Sequence, residues 1–334
     1  MLTYIIPFII LILVVVFIHE YGHYYFARKY GVGVTDFSIG FGQEIFGWND
    51  KHGTRWKICW IPLGGYVKFF GDRNVFSQAD HEKILKQYNE EDQEKLFVIK
   101  PLYQRALIVF GGPLANFLLA IAIFFCIYTF VGKDFTPAVI NEVQKDSPAM
   151  IGGLKDNDII LEIDGNKVES IMDVSKYITT STGEVIDFKV ERFDQEYLLR
   201  IKPNIVLSDD NLGNKVNKRM VGIKLGAVNN KINHVKLGPA QALIQSVKEV
   251  YFVSTSSLKY IGTMLTGSGD SSQLGGPIRI AKITGQVAEI GILPFISIMA
   301  YISISLGLIN LFPIPMLDGG HLMFYAFEKV LGRP

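Results

Sequence analysis

Phe17-Ile18-His19-Glu20-Tyr21-Gly22-His23 closes a run, Leu2 to Ile18, that contains no charged side chain. His19 and His23 are four residues apart, so on a helix they share one face with Cβ atoms about 6 Å apart. Glu20 beside them completes the His-Glu-x-x-His pattern in which two imidazoles hold zinc and the glutamate acts as base. Ionisable groups at membrane depth cost at least about 2.5 kcal/mol each on insertion scales, so their presence at the end of such a run points to function. A chance match to three fixed positions is the competing explanation, and the hydrophobic setting argues against it.

The rest of the chain agrees with a membrane setting. Its 334 residues are 49% hydrophobic with a mean hydropathy of +0.26, too apolar for an ordinary soluble protein. A formal net charge of +1 gives no argument for nucleic acid as a partner. The two cysteines, Cys59 and Cys126, stand in dissimilar contexts, which speaks against a disulfide framework or a cysteine metal site. Three segments approach the roughly 20 apolar residues needed to cross a bilayer: Tyr4 to Tyr25, Ala106 to Val131 and Gly291 to Leu317. The first lacks the basic leading region of a cleaved signal peptide. Arg28 and Lys29 follow the first span, and Lys100 and Arg105 precede the second. By the positive-inside rule, residues 30–105 are cytoplasmic, with the N-terminus and residues 132–290 on the opposite side.

Between the spans the patterns change. Asp36-Phe37-Ser38-Ile39-Gly40-Phe41-Gly42 and Trp56-Lys57-Ile58-Cys59-Trp60-Ile61 are short aromatic and β-branched runs bounded by Gly and Pro, which predicts strands. Gly64-Gly65 predicts a tight bend. Aromatic hairpins dipping into the membrane interface and a small cytoplasmic β-subdomain both fit this pattern; the first requires that the backbone pack on protein or line a cavity. Residues 77–100 read as a charged, solvated helix. Residues 135–203 alternate strand and helix signals: Val139–Val143, a short helix opened by Ser147-Pro148-Ala149, Asp158–Gly165, a helix over Val174–Thr180, then Ile186–Arg192 and Glu196–Ile201. From Gly238 to Gly267, Leu243, Val247, Val250, Tyr251, Leu258, Ile261 and Leu265 recur at helical spacing. Such a helix either lies on the membrane surface or docks on the transmembrane core.

A hydrolytic zinc site needs a third protein ligand and an open position for water. Asn310-Leu311-Phe312-Pro313-Ile314-Pro315-Met316-Leu317-Asp318-Gly319-Gly320-His321, at the far end of the third span, offers Asp318. Standing alone, Asp318 reads more naturally as an interfacial cap. Paired with His19 and His23 it becomes the missing carboxylate, and the topology permits this, because the first and third spans end on the same side. His321 reads as an orienting or structural residue, and Asn116 in the second span as a polar link between helices.

These elements together resemble the site-2 intramembrane metalloproteases of the bacterial regulator-of-sigma-E protease type. The resemblance rests on His19-Glu20-Tyr21-Gly22-His23, on "GGPLANF" (Gly111 to Phe117), and on "SPAMIGGLKDNDIILEIDG", which is similar to a bacterial PDZ domain with Asn157-Asp158 in place of the usual Gly-Asp. Gly275-Gly276-Pro277-Ile278 and "NLFPIPMLDGGH" complete it, and the elements run in the family's order over nearly the whole chain. The implied fold class is a polytopic α-helical membrane protein with three spans in this chain, membrane-associated β-hairpins and one inserted PDZ α/β domain. The implied domains are a first transmembrane helix (1–30), a cytoplasmic-side hairpin region (31–105), a second helix (106–132), the PDZ domain (135–205), a linker with an interfacial helix (206–290) and a third helix with the metal motif (291–334). Such proteases generally continue into a fourth span, which is expected outside this sequence.

The resemblance implies Zn²⁺ held by His19, His23 and Asp318. It gives Glu20 the role of base, against the alternative of an orienting partner for a histidine. Substrate contacts would come from Asn310, Pro313 and the hairpin edge at Gly64 and Gly65. The implied partners are the lipid bilayer, a peptide ligand of the PDZ domain, and single-span membrane substrates such as an anti-sigma factor or signal-peptide-like segments. The PDZ domain reads equally as a spacer restricting access. The implied location is a bacterial inner membrane, with the PDZ domain periplasmic and the zinc site near the cytoplasmic side. A non-catalytic membrane adaptor or metal-handling protein that keeps the ligands is the alternative class, and an intact Glu20 argues against it. In a background lacking Cys59 and Cys126, a single cysteine placed in residues 135–205 should react with an impermeant thiol reagent from the periplasmic side; labelling from the cytoplasm alone would reverse the orientation.

Overall fold

A computed structural model describes residues 2–71, 88–209, 215–227, 233–266 and 276–332. In chain order the elements are α1 (Leu2–Lys29), β1 (Val34–Asn49), β2 (Arg55–Phe69), α2 (Glu90–Gln93) and α3 (Leu102–Cys126), which runs on into a π-helical turn, Ile127–Val131. The middle of the chain holds β3 (Lys133–Asp134), β4 (Val139–Val143), α4 (Pro148–Ile151), β5 (Ile159–Ile163), β6 (Asn166–Lys167), α5 (Ile171–Thr180), β7 (Ile186–Arg192) and β8 (Gln195–Ile201). There follow β9 (Asn204–Asp209), β10 (Lys215–Met220), β11 (Ile223–Gly226), β12 (His234–Val235), α6 (Pro239–Leu265), α7 (Pro277–Ile290), α8 (Ile292–Asn310) and α9 (Asp318–Leu331). They form two compact units, one of Met1–Ile123 with Ala281–Pro334, the other of Phe124–Ile280.

α1, α3 and α8 account for the three helical stretches long and apolar enough to cross a membrane, Thr3–Lys29, Leu102–Val131 and Ile292–Asn310, and the first unit holds α1, α8 and α3 as far as Ile123. Leu11 and Val15 of α1 pack against Phe295 and Met299 of α8. Where α1 meets α3 the contact is made by glycine: a Cβ on Gly22 would strike the Gly111 carbonyl, and one on Gly111 the Gly22 carbonyl. Small residues of this kind let helix backbones approach closely in a membrane. Ser303 Oγ of α8 donates to the Asn116 carbonyl of α3 at 2.9 Å, tying the third helix to the second.

The second span begins at Leu102 rather than Ala106. The third ends at Asn310 rather than Leu317, because Pro313 and Pro315 cannot donate to a helix and push their preceding residues out of helical conformation. After that turn α9 restarts at Asp318, a helix not anticipated from the sequence. Arg105 Nη2 meets Glu328 Oε1 at 2.5 Å and its guanidinium lies 5.0 Å from the Tyr325 ring centroid, so α9 is anchored to the start of α3. Of the charged helix expected over 77–100, residues 77–87 lie outside the described residues, and the remainder forms the single turn α2.

β1 and β2 form one long hairpin that doubles back on itself. Asp36 to Ile39 of β1 pair with Arg55 to Ile58 on one side and with Gly65 to Lys68 on the other. The strand positions agree with the sequence; Gly64-Gly65 lies within the bounds of β2, at the end of the segment over which β2 folds back, since Ile58 and Gly65 both pair with Ile39. β1 folds back at Gly40 and Gly42, both at positive φ (89° and 88°), where a side chain would be strained. Phe37 stacks on Trp56 at 4.2 Å between centroids, and Tyr24 of α1 donates to Asp50 Oδ2 at 2.9 Å. Burial alone would raise the Asp50 carboxyl. Hydrogen bonds from Trp56 Nε1, the Thr54 and His52 amides and Tyr24 outweigh it and hold Asp50 down to about 2. Phe46, Trp60, Ile61 and Leu63 remain exposed on the outer surface.

The second unit is built on a sheet of order β11-β4-β5-β7-β8, with β6 paired to β5. Ser147 caps α4 through Met150 N–H, and Ser170 and Asp173 form a capping box on α5, which explains both helix starts. Ile140, Ile160, Ile163, Ile186, Phe188 and Ile201 fill the core. The element order of the predicted PDZ-like module is present, but its end is later than residue 205. β11 pairs with β4, so the sheet runs to Gly226, and the linker predicted from 206 contains the β9–β10 hairpin and this closing strand. Asn157 takes φ +69°, a left-handed conformation that Asn tolerates, so the departure from Gly-Asp leaves the turn intact. Asp158, fully buried, receives Arg192 Nε at 2.6 Å and Nη2 at 2.7 Å. Within this unit α6 buries Ala242, Ser246, Glu249 and Val250, with Glu249 bound by Lys176 at 2.7 Å, and leaves Leu243, Val247, Tyr251, Leu258 and Leu265 exposed. Asp158→Ala leaves the partly exposed Arg192 guanidinium and the Lys155 amide without their carboxylate partner and should destabilise this unit by about 1–3 kcal/mol, read as faster hydrogen exchange in β5 and β7.

Candidate metal centre

The helical spacing of His19 and His23 places both imidazoles on the side of α1 that faces α3, where they are 7% and 9% exposed. That closeness depends on Gly112 of α3, since a Cβ there would overlap His23 Nε2. Asp318 arrives from the turn after α8. Gly319 and Gly320 allow it, because a Cβ on either would strike the carbonyls of Leu311, Phe312 or Ile314 and lift the start of α9 away.

His19 Nε2 lies 3.2 Å from Asp318 Oδ2 and 3.2 Å from His23 Nε2, while His23 Nε2 lies 3.5 Å from Asp318 Oδ1. His23 Nδ1 donates to the Ile108 carbonyl at 2.9 Å. A carbonyl can only accept, so Nδ1 carries the proton and the Nε2 lone pair points into the group. Asp318 Oδ2 is buried and receives no hydrogen bond despite the nearby imidazole. Unshared electron pairs therefore converge in a buried site, an arrangement that calls for a cation. Ligands held at zinc distances of about 2.0–2.1 Å in tetrahedral geometry stand about 3.3 Å apart, which matches the observed spacings. His19, His23 and Asp318 are thus spaced and buried as three zinc ligands, with all three ligand atoms within 4.8 Å of one another.

Glu20 stands beside the group, close enough for electrostatic interaction with all three members, and lies near the Val67 amide of β2. A Cβ on Gly65 would press on the Glu20 side chain, so this glycine lets β2 run against the site. Gly64 instead faces the Phe41 ring. Asn310 Nδ2 lies 3.4 Å from His19 Nε2, at the rim. Pro313 is exposed in the turn between α8 and α9, and His321 is no member of the ligand group. Sequence reasoning did not find the Ile108 carbonyl, Gly112 or the contact of Asn116 with His19 Nδ1 at 3.2 Å. The "GGPLANF" string marked the region but carried no sign of which atoms face the histidines.

A family model described as peptidase family M50 matches residues 7–334. The chain belongs to that family. It is 42% identical over 331 residues to a protein of Agrobacterium fabrum named "Putative zinc metalloprotease", covering 99% of this chain and 88% of that one. It is 34% identical over 342 residues to the metalloprotease MmpA of Caulobacter vibrioides, covering 96% and 85%. Two solved PDZ domains of SdrC-like proteins, from Listeria monocytogenes and Listeria innocua, align with 27% and 30% of the chain and with 88% and 99% of their own length. They do so at 26% and 22% identity with a TM-score of 0.23 each, and add nothing to the topology described above. Membership of M50 makes this a zinc metalloprotease chain, and the donor set agrees. Gly112→Ala should lower zinc affinity about tenfold by displacing His23, as disturbed supporting contacts do at zinc sites. Gly276→Ala, where a Cβ meets open space, should leave it unchanged in the same chelator competition.

Proposed function

We propose that this M50 chain is an intramembrane endopeptidase of the site-2 type, cleaving single-span membrane proteins within or near their transmembrane segment. The observation that carries the reading is the position of Glu20 and the three-ligand group at the end of an apolar helix, against a β-strand. His19, His23 and Asp318 would hold the zinc, which when bound would supply Lewis-acid polarisation of a scissile carbonyl and lower the pKa of an attacking water. Glu20 accepts the proton of that water and returns one to the leaving amine. The Val67 amide of β2 lies near the Glu20 carboxylate, and Gly65 lets the strand run against it.

A transmembrane helix keeps its carbonyls in its own hydrogen bonds, so a substrate must unwind to be cut. The part of β2 from Gly64 to Phe69 pairs with β1 on one side and runs beside Glu20, an edge suited to holding an unwound segment as an added strand. Asn310, at the rim, is suited to bind its backbone, and the Pro313–Pro315 turn leaves carbonyls for the same purpose. Basic residues at the ends of the first and second spans support a zinc site near the cytoplasmic side of an inner membrane, with the PDZ-like module outside. The exposed apolar side of α6 suits the bilayer surface, and the module suits either a peptide or the role of spacer. Substrates whose outer domain has already been shed, anti-sigma factors among them, fit a site reached from within the bilayer.

Glu20→Gln should reduce cleavage of a model single-span substrate at least about 100-fold while zinc stays near one per chain. Undiminished cleavage would remove Glu20 from the chemistry, and cleavage absent from the parent at full zinc loading would favour the adaptor reading.

A further inference from the structure

The buried amide of Asn116, as it stands, is at odds with the tautomer that zinc ligation requires of His19. Asn116 is fully buried in α3, its Nδ2 stands 3.2 Å from His19 Nδ1, and its Oδ1 has no hydrogen-bond partner. His19 Nε2 faces Asp318 and the lone pair of His23 Nε2. A neutral imidazole that offers Nε2 as a ligand carries its proton on Nδ1. That N–H would then point at the NH₂ of Asn116, donor against donor, while the amide oxygen of the same side chain goes unused. A half-turn of the amide places Oδ1 on His19 Nδ1–H and removes both faults at once.

We propose that Asn116 is the positioning residue of His19. Its amide oxygen accepts the Nδ1 proton, which fixes the tautomer and ring orientation that leave Nε2 free for zinc. The Ile108 carbonyl does the same for His23 at 2.9 Å. α3 therefore orients both histidines of α1 from outside the ligand shell, one through a main-chain carbonyl and one through a side chain. Such outer partners are worth about 10–100-fold in metal affinity. This role goes beyond holding helices together, because at the same level of α3 a separate hydrogen bond, Ser303 Oγ to the Asn116 carbonyl, already links α8 to α3.

The inference rests on the zinc site described above, and the experiment separates the two. Zinc affinity of the detergent-solubilised protein is measured by chelator competition for the parent, Asn116→Leu, Asn116→Asp and Ser303→Ala, with helix content followed by circular dichroism. The expected result is stoichiometric zinc in the parent, a 10–100-fold weaker affinity in Asn116→Leu at unchanged helix content, recovery to within about threefold in Asn116→Asp, which restores an acceptor, and parental affinity in Ser303→Ala. Parental affinity in Asn116→Leu, or an equal loss in Ser303→Ala, overturns the assignment in favour of a purely structural contact. So does loss of helix content in Asn116→Leu together with weak binding in Asn116→Asp. Absence of zinc binding in the parent overturns the site itself and the assignment with it.

Discussion

Two imidazoles and a carboxylate share a buried space in which their electron pairs face one another at 3.2–3.5 Å. Without a cation such a group is repulsive and undersolvated, and each feature around it can be traced to holding it together regardless. Glycines at 22, 111 and 112 remove the side chains that would keep α1 from α3 at this level. The two prolines end α8, and Gly319 and Gly320 let the chain fold tightly enough to deliver Asp318 at the depth of the histidines. Arg105 and Glu328 then fasten α9, whose first residue is Asp318, to the same helix that orients His23. Asp318 also sits in the first turn of α9, where the helix dipole favours a negative charge.

Glu20 connects this polar pocket to the β-structure. It is flanked along α1 by His19 and Tyr21, and the strand beside it presents a glycine and a backbone amide rather than a competing side chain. On the proposed function, a strand edge beside a metal centre in an apolar setting would join two requirements of peptide hydrolysis in a membrane: a dry site for polarised chemistry and a partner for an extended substrate. The doubled hairpin achieves this while keeping aromatic and aliphatic side chains outward, which suits contact with lipid better than with water. The two units divide the work accordingly, with ligands and hairpin in one and the PDZ-like sheet, closed by β11, in the other.

Much of this was legible in residue order. His19, Glu20 and His23 announce themselves because helical period and zinc chemistry share the same spacing, and the three apolar stretches follow from composition. Asp318 became visible as a ligand only when paired with a motif some 300 residues away, and the Gly-Gly after it had no assignable purpose. The strands of the hairpin were readable from their aromatic and β-branched runs. Their doubled pairing was not, since one strand segment with two partners leaves no local mark. The module's last strand was missed because Ile223 to Gly226 is too short to signal a strand without β4 beside it.

The sequence by itself determined the metal-binding motif, the three helices apolar enough to cross a membrane and the order of the parts, because these depend on residue type and local period. The tertiary structure alone decided which atoms meet. It brought Asp318 onto His19 and His23, set the Ile108 carbonyl and Asn116 behind the two rings, and laid Gly65 and Val67 against Glu20. Those contacts join residues far apart in the chain, and they exist because small side chains let three helices and a strand close to contact distance around one point.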